Sequence, residues 1–391
     1  MLHICRVSLY VLRAALLLGS LLLSLSCTQN YNVHIVSLGL VAPLSGDAHL
    51  VGADWVFAAR RAIDEWNAAG EAVPFRVRLV IYDQAEGPVL ARRLAVDPSI
   101  MGVAGFWQDG PAGDARKTLA DAALPLISLA PPLTREAGAE GPASLHLLPP
   151  QGDIYRGIGA FLRENLKNES AVLVIGPTVQ DLARARGFQE QMSKAGITDM
   201  RVQAAGPYAS DYSSVLSRSG GASSETILFS GAAASAQDFL QQLASSELSP
   251  DANVVLLPDA HPLPSADATP RGGAYWMTGA GGQPTDKGKA LIDAFQEEKG
   301  RQPYPSAMTA YDGVELLLQG LATAWGARQR LDRAGVAEFL RRTTVYHGLA
   351  QQYEFDGRGM VINPSVYAYR LKKGMFPGEL AAKVSVPPAA R

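Results

Sequence analysis

The stretch NVHIVSLGLVAPLSGDAHLVGADWVFAARRAIDEWNAAG, residues 32–70, holds a strand, a polar turn and an amphipathic helix in a row. Val33 to Val41 (VHIVSLGLV) reads as a strand. Gly52 to Gly70 has helical spacing: Trp55, Ala59, Ala62, Ile63 and Trp66 share one face, while Arg60, Arg61, Asp64 and Glu65 fall largely elsewhere. Gly70 supplies the stop. The turn between them, Ser45-Gly46-Asp47-Ala48-His49-Leu50-Val51, stands at the carboxyl end of a strand and the amino end of a helix, where unpaired backbone N–H groups face outward.

The same alternation continues downstream. Strands are expected at Phe75 to Tyr82, Ile100 to Phe106 and Pro125 to Leu129, with helices around Leu90 to Ala95 and Gly113 to Ala123. After Leu148-Pro149-Pro150 a second series follows: helices over Asp153 to Leu166, Gln180 to Gly196 and Ser235 to Ser245, and strands at Ala171 to Ile175, Thr226 to Phe229 and Asn253 to Leu257. Strands alternating with helices imply parallel βαβ units, so the periodicity gives two consecutive doubly wound α/β lobes. Beyond Tyr275-Trp276 come a Gly-rich loop and helices around Ala290 to Lys299, Ser306 to Ala324 and Arg333 to Arg342. Gln352 to Phe355 and Ser365 to Leu371 are expected to pair as antiparallel strands, and the Ala- and Pro-rich tail, 377–391, to fray.

A chain of 391 residues has room for two domains, and its 47% hydrophobic and 18% charged content is that of a globular protein. With 35 Lys+Arg against 37 Asp+Glu and no basic stripe, nothing invites nucleic acid. Arg6 and Arg13 precede the uncharged run Ala14 to Ser26, which is shorter than the ~20 residues of a membrane span. Residues 1–26 therefore suit a signal peptide. The run ends at Cys27, ahead of polar Thr28, Gln29 and Asn30, and resembles a bacterial lipoprotein signal, in which that cysteine is lipidated and 27–32 form a tether. Ser24 departs from the Leu usual in such signals, so plain secretion or an uncleaved anchor stays open. The other cysteine, Cys5, lies within the signal, which leaves the folded body no disulfide.

Residues 39–70 resemble the opening of the type I periplasmic binding proteins, in particular the branched-chain amino-acid-binding (Leu/Ile/Val) group that serves ABC transporters. Further similarity runs in order through YDQAEGPVLARRLAVDPSIMGVAGF (82–106), LPLISLAPPLT (124–134), LHLLPP (145–150), AMTAYDGVELLLQGL (307–321) and YEFDGRGMVINPSVYAYRLKKGMF (353–376). The resemblance implies a Venus-flytrap of two lobes, 33–149 plus 276–346 and 150–275 plus 347–376, joined by three hinge crossings with the ligand between them. The third crossing would fall near Tyr346 to Leu349.

The resemblance also implies where a ligand would touch. Ser45 and its turn would line the first lobe, although relatives place an aromatic where Val51 stands. In the next loop the family's carboxylate-holding hydroxyl residue aligns with Asp109, an anion that repels a carboxylate; a slip of one position makes Gln108 the donor instead. Trp107 offers a stacking face or a core side chain. The loop holding Ala130 is shortened, and its Pro131 and Pro132 have no N–H to give. On the second lobe Gln180 stands near a position that is aromatic in relatives. Asp259 matches the acidic partner of a ligand ammonium, with His261 beside it, or else it is a capping residue.

No GxSxG, HExxH, Walker A or GxGxxG motif occurs, and His34, His49, His146, His261 and His347 lack metal-ligand spacing. No enzyme, metal or cofactor is expected. The partners implied are a small molecule (amino acid, amide or related amine), an ABC permease and a membrane reached through the lipid anchor in the cell envelope. The alternative is an envelope lipoprotein that binds a partner or regulates, using the same fold with a degenerate cleft.

Overall fold

β1 (His34–Ala42) lies between β2 (Phe75–Asp83) and β3 (Ile100–Gly105), and all three run parallel. Every β1 residue from Val36 onward is buried, including Ser37, whose hydroxyl accepts from the Arg78 guanidinium at 3.0 Å. β2, at the sheet edge, buries Phe75 and Val77 and exposes Arg76 and Arg78. With β4 (Leu126–Ser128) and β5 (Ser144–His146) the order is β2-β1-β3-β4-β5. This computed structural model describes residues 34–69, 73–107, 109–134, 143–176, 178–205, 211–219, 226–245, 252–264 and 273–388.

Helices α1 (His49–Ala68), α2 (Pro88–Val96) and α3 (Asp109–Asp121) connect those strands. α4 (Gln151–Glu164) opens the second lobe, followed by β6 (Ser170–Ile175), α5 (Val179–Lys194), β7 (Asp199–Ala204), α6 (Ser213–Ser219), β8 (Thr226–Phe229), α7 (Ala233–Ala244), β9 (Asn253–Leu256) and β10 (Gly273–Thr278). The chain then returns to the first lobe as α8 (Asp286–Lys299), α9 (Ser306–Arg328) and α10 (Arg333–Arg342). α9 buries Leu316, Leu317, Leu318 and Leu321 on several faces at once, because it packs between the sheet, α1 and α10. Gly102 of β3 lets it come close: a Cβ there would stand 2.7 Å from Leu317.

Arg333 ties α10 to this lobe. Its guanidinium donates to the carbonyls of Leu94, Ala95 and Asp97, acceptors left over where α2 ends, and to that of Ile100 at the start of β3.

The sheet of the second lobe has the order β14-β13-β10-β9-β8-β6-β7 and contains two corrections to expectation. β13 (Ser365–Lys372) pairs antiparallel with β10 and with β14 (Met375–Ser385), so most of the tail expected to fray is a strand. β13 left an edge open, and Val384, buried against it, gains more than a loose tail would. β12 (Gln352–Glu354) does not pair with β13; it pairs with β11 (Val345–His347).

That ribbon stays with the first lobe. Met360 still bridges to His146, the last residue of β5, and the chain joins the second sheet only at Ser365, later than the crossing expected at 346–349. Asp312 of α9 sets this course. It is 1% exposed, and its carboxylate accepts the N–H of Leu349 at 2.9 Å and the hydroxyl of Tyr353 at 3.2 Å. Burial pushes its carboxyl up to about 7, against the pull of those two bonds.

Since the folded pKa lies above the ordinary value of 3.8, the contribution of Asp312 to stability is whole below about pH 4 and is lost as pH rises through about 7. Asp312→Asn can keep both hydrogen bonds and cannot ionise. Thermal midpoints of the two proteins measured from pH 4 to 8 are expected to diverge in favour of the variant as pH rises; parallel curves would show that Asp312 does not titrate there.

Candidate ligand-binding site

The loops that follow β3 and β9 bring the two lobes together, with Trp107 of one against His261 of the other. On the first lobe β3 ends in Gly105 (φ 145°) and Phe106 (φ 68°). A Cβ on Gly105 would stand 2.1 Å from the carbonyl of Val41, so only glycine fits. Phe106 then donates its N–H to that carbonyl at 2.9 Å and buries its ring. This double turn swings Trp107 toward the other lobe. The main-chain N–H of Trp107 donates to the Gln84 side-chain oxygen at 2.8 Å.

The turn after β1 is held from beneath by Asp83. Burial works to raise this carboxyl, but the N–H of Ala85, the hydroxyl of Ser45 and the N–H of Leu44 outweigh it and hold the group below its usual range. His49 is tied to the Gly46 carbonyl at 2.9 Å.

On the second lobe, Ser230 follows β8 and Asp259 follows β9. The Ser230 hydroxyl donates to Asp259 Oδ2 at 2.9 Å, and Arg184 stands 4.0 Å from the same oxygen. The capping box of Thr178 and Asp181 starts α5 and thereby positions Arg184. The Asp259 side chain keeps 34% exposure while protein encloses the rest. That desolvation raises its pKa, with Ser230 and Arg184 pulling the other way. Tyr155, in the first turns of α4, lies close enough for the Asp259 charge to reinforce the upward push that burial gives its phenol.

His261 is 2% exposed. Its Nδ1 donates to the carbonyl of Asp259 at 3.3 Å, and its Nε2 is buried with no hydrogen-bond partner among the described residues. Burial keeps the imidazole below its ordinary pKa, opposed by the nearby main chain of Asp259 and Asp47. Its ring meets Trp107 edge-on at 6.0 Å, and Trp107 in turn meets Trp55 at 5.8 Å.

A second contact between the lobes stands beside this one. Tyr304, just before α9, is fully buried and donates its hydroxyl to the carbonyl of Pro262 at 2.7 Å. Its ring lies 5.4 Å from His261, 6.2 Å from Trp276 and 4.8 Å from Phe376. Asp54 fixes the loop: it accepts both guanidinium ends of Arg301 at 2.6 and 3.0 Å and the N–H of Tyr304 at 2.8 Å. Burial raises the Asp54 pKa, and Arg301 and Tyr304 draw it back. An inter-lobe hollow of about 400 Å³ adjoins the bridge, with Pro262, Arg301, Gln302, Lys372 and Phe376 in its wall; Trp107, Asp259 and His261 do not line it.

Trp107, Asp259 and His261 are thus brought together. Ser45 is exposed, with its hydroxyl turned to Asp83, and Ala130 is buried, its carbonyl accepting from Ser128. Val51 is buried within α1. Gln108 and Cys27 lie outside the described residues, and Asp109 and Gln180 are described only as the helical backbone that starts α3 and α5. Ser230, Arg184, Tyr155 and Tyr304 were not anticipated. Ser230, directly after a buried strand, carried the same positional signal as Asp259.

The model for periplasmic binding proteins matches residues 35–375, nearly all of the chain. The chain belongs to that family. The Leu/Ile/Val-binding protein homolog 3 of Brucella melitensis is 22% identical, over 88% of this chain and 93% of that protein. The branched-chain amino acid transporter substrate-binding protein LivJ of Streptococcus pneumoniae, solved with isoleucine, superposes with a TM-score of 0.73 at 19% identity, covering 90% of this chain and 100% of that one. A fatty acid ABC transporter substrate-binding protein from Thermomonospora curvata gives 0.70 at 15% identity, covering 91% and 93%. The family fold therefore accommodates unlike ligands, and contact residues must decide among them.

Asp54→Ala leaves Arg301 and the Tyr304 N–H without their acceptor in a mostly buried place. A loss of about 3 kcal/mol is expected in urea unfolding; a change below about 0.5 kcal/mol would show that the clamp does not carry the loop.

Proposed function

We propose that this chain is the extracytoplasmic solute receptor of an ABC-type importer, capturing a small polar molecule (an amino acid, amide or related amine) between its lobes. The observation that carries this is the approach of Trp107 on one lobe to His261 and Asp259 on the other. A solute held there contacts both lobes at once, so its binding energy favours the closed form that a permease would read. The same group suits binding: it offers an acceptor carboxylate, an imidazole held below its ordinary pKa and aromatic faces.

The anchor belongs to this proposal as well. Lipid on Cys27 would hold the receptor at the envelope surface, its folded body beginning a few residues later at β1. Among the described residues no helix is long and apolar enough to cross a membrane.

One observation favours a second reading, the partner-binding or regulatory lipoprotein. The rings of Trp107, His261 and Tyr304 already touch across the cleft and occupy space that a solute would need.

Thermal unfolding of the full-length protein in detergent, with a panel of amino acids, their amides and the corresponding amines, separates the two. A solute at 100 times its Kd adds about 2.7 kcal/mol of stability, and Asp259→Asn is expected to abolish that gain. No response across the panel would favour the partner-binding reading. For the anchor, Cys27→Ser is expected to move the protein from the membrane to the soluble fraction and to remove the acyl mass from the intact-protein spectrum; an unchanged distribution and mass would overturn lipidation at Cys27.

A further inference from the structure

One flank of the first lobe is built from the start of β1, the start of β2 and the outer side of α2. Ser37 and Arg78 stand opposite each other in the parallel register and share a hydrogen bond, so both point to the same side of the sheet. Ile35 and Arg76, the pair two residues earlier, point there too. Farther along, α2 covers this side, where a Cβ on Gly39 would meet Leu94 at 3.3 Å. The helix buries Leu90, Ala91 and Leu94. Its outward residues are Val89, Arg92, Arg93 and Val96, at the i, i+3, i+4 and i+7 spacing of a single helical stripe.

Such a stripe is ill suited to open water. Ile35 is 63% exposed, Val89 58% and Val96 79%, three large apolar side chains gathered on one flank. Arg76, Arg78, Arg92 and Arg93 share it with two carboxylates, Glu86 and Asp97. Glu86 holds Arg93, and Asp97 accepts the N–H of Ser99. Arg76 and Arg92 are exposed and make no hydrogen bond or ion pair among the described residues.

The course of the chain says what this flank meets. β1 begins at His34, next to Ile35, and Cys27 lies seven residues ahead. Seven residues span at most about 25 Å, so a lipid on Cys27 keeps the flank beside the bilayer at all times. Apolar side chains set among unpaired guanidinium groups match a surface with anionic phosphates outside and an acyl boundary just beneath. A protein partner would have to compete with lipid held there at high effective concentration.

Resting on the membrane placement proposed above, we propose that this flank docks on an anionic bilayer. Arg76 and Arg92 meet lipid phosphates, and Ile35, Val89 and Val96 settle at the acyl boundary.

The full-length protein is reconstituted into vesicles of phosphatidylcholine, alone or mixed with phosphatidylglycerol, that carry nitroxide head groups. In a Cys5→Ser background a fluorophore is attached at Pro98→Cys, beside the stripe, or at Gly187→Cys on the second lobe, where an added Cβ meets nothing within 4 Å. Peptide mapping confirms the labelled site. On vesicles containing phosphatidylglycerol, quenching at residue 98 is expected to exceed that at residue 187, and to fade in phosphatidylcholine alone and in high salt. Arg76→Gln and Arg92→Gln are each expected to lower the ratio of docked to undocked protein about fivefold. Val89→Ser with Val96→Ser is expected to lower it as well, with thermal midpoints showing that each variant is folded.

Flotation of the protein with the vesicles reports the anchor separately. Flotation on both lipids with equal quenching at the two sites, or with quenching indifferent to phosphatidylglycerol and to both arginines, overturns the inference while the anchor stands. Flotation only with phosphatidylglycerol overturns the anchor and supports the flank. If neither vesicle carries the protein, both readings fall.

Discussion

A buried aspartate holding an arginine sets how the two lobes meet. Asp54 lies on α1 at the centre of the first lobe, and its carboxylate takes both arms of Arg301 and the N–H of Tyr304. The loop between α8 and α9 is rigid as a result, and Tyr304 projects from it onto Pro262, Trp276 and Phe376 of the other lobe. Arg301 itself stacks 5.5 Å from the Phe376 ring, so the charge pair also packs against apolar surface. Without the acid, an isolated guanidinium beside three aromatic rings would be costly to keep, and the tyrosine would lose its platform.

The same economy of partners runs through the binding side. Asp83 and Gln84 take up hydrogen bonds that the turns after β1 and β3 would otherwise direct into the cleft. These turns are thereby tied down, and the first lobe presents Trp107 beside them. Asp259 and His261 answer from the second lobe. A fold shared with proteins that hold isoleucine or serve fatty acid transport supplies the two lobes and the crossings; the chemistry of recognition comes from which side chains have hydrogen-bonding capacity left over.

The lobes were legible because parallel sheets mark themselves. Thr226 to Phe229 and Asn253 to Leu256 are short apolar runs between helical segments, and they sit where their periodicity placed them. β14 was hidden: Leu380, Ala382 and Val384 do alternate with charged or small residues, but their Ala-, Pro- and Gly-rich surroundings mask a strand whose existence depends on the open edge of β13. β12 took a different partner from the one expected because Asp312, distant in sequence, holds Leu349 and Tyr353. In the candidate site, the sequence could point to Asp259 and His261 from their place after a buried strand. Tyr304 could not, since a tyrosine between two prolines in a connecting loop looks like any surface residue until Asp54 is seen beneath it.

The aromatic bridge bears on how an empty receptor behaves. Residues of both lobes belong to one continuous apolar core through Tyr304, Trp276 and Tyr369, so drawing the lobes apart wets surface that is dry when they meet. The shut arrangement then has a favourable energy of its own, and some unloaded molecules adopt it at any moment. A downstream permease that sensed only closure would register these as loaded, giving a resting signal without solute. A solute can raise that signal only to the extent that it binds the shut form more tightly than the open one.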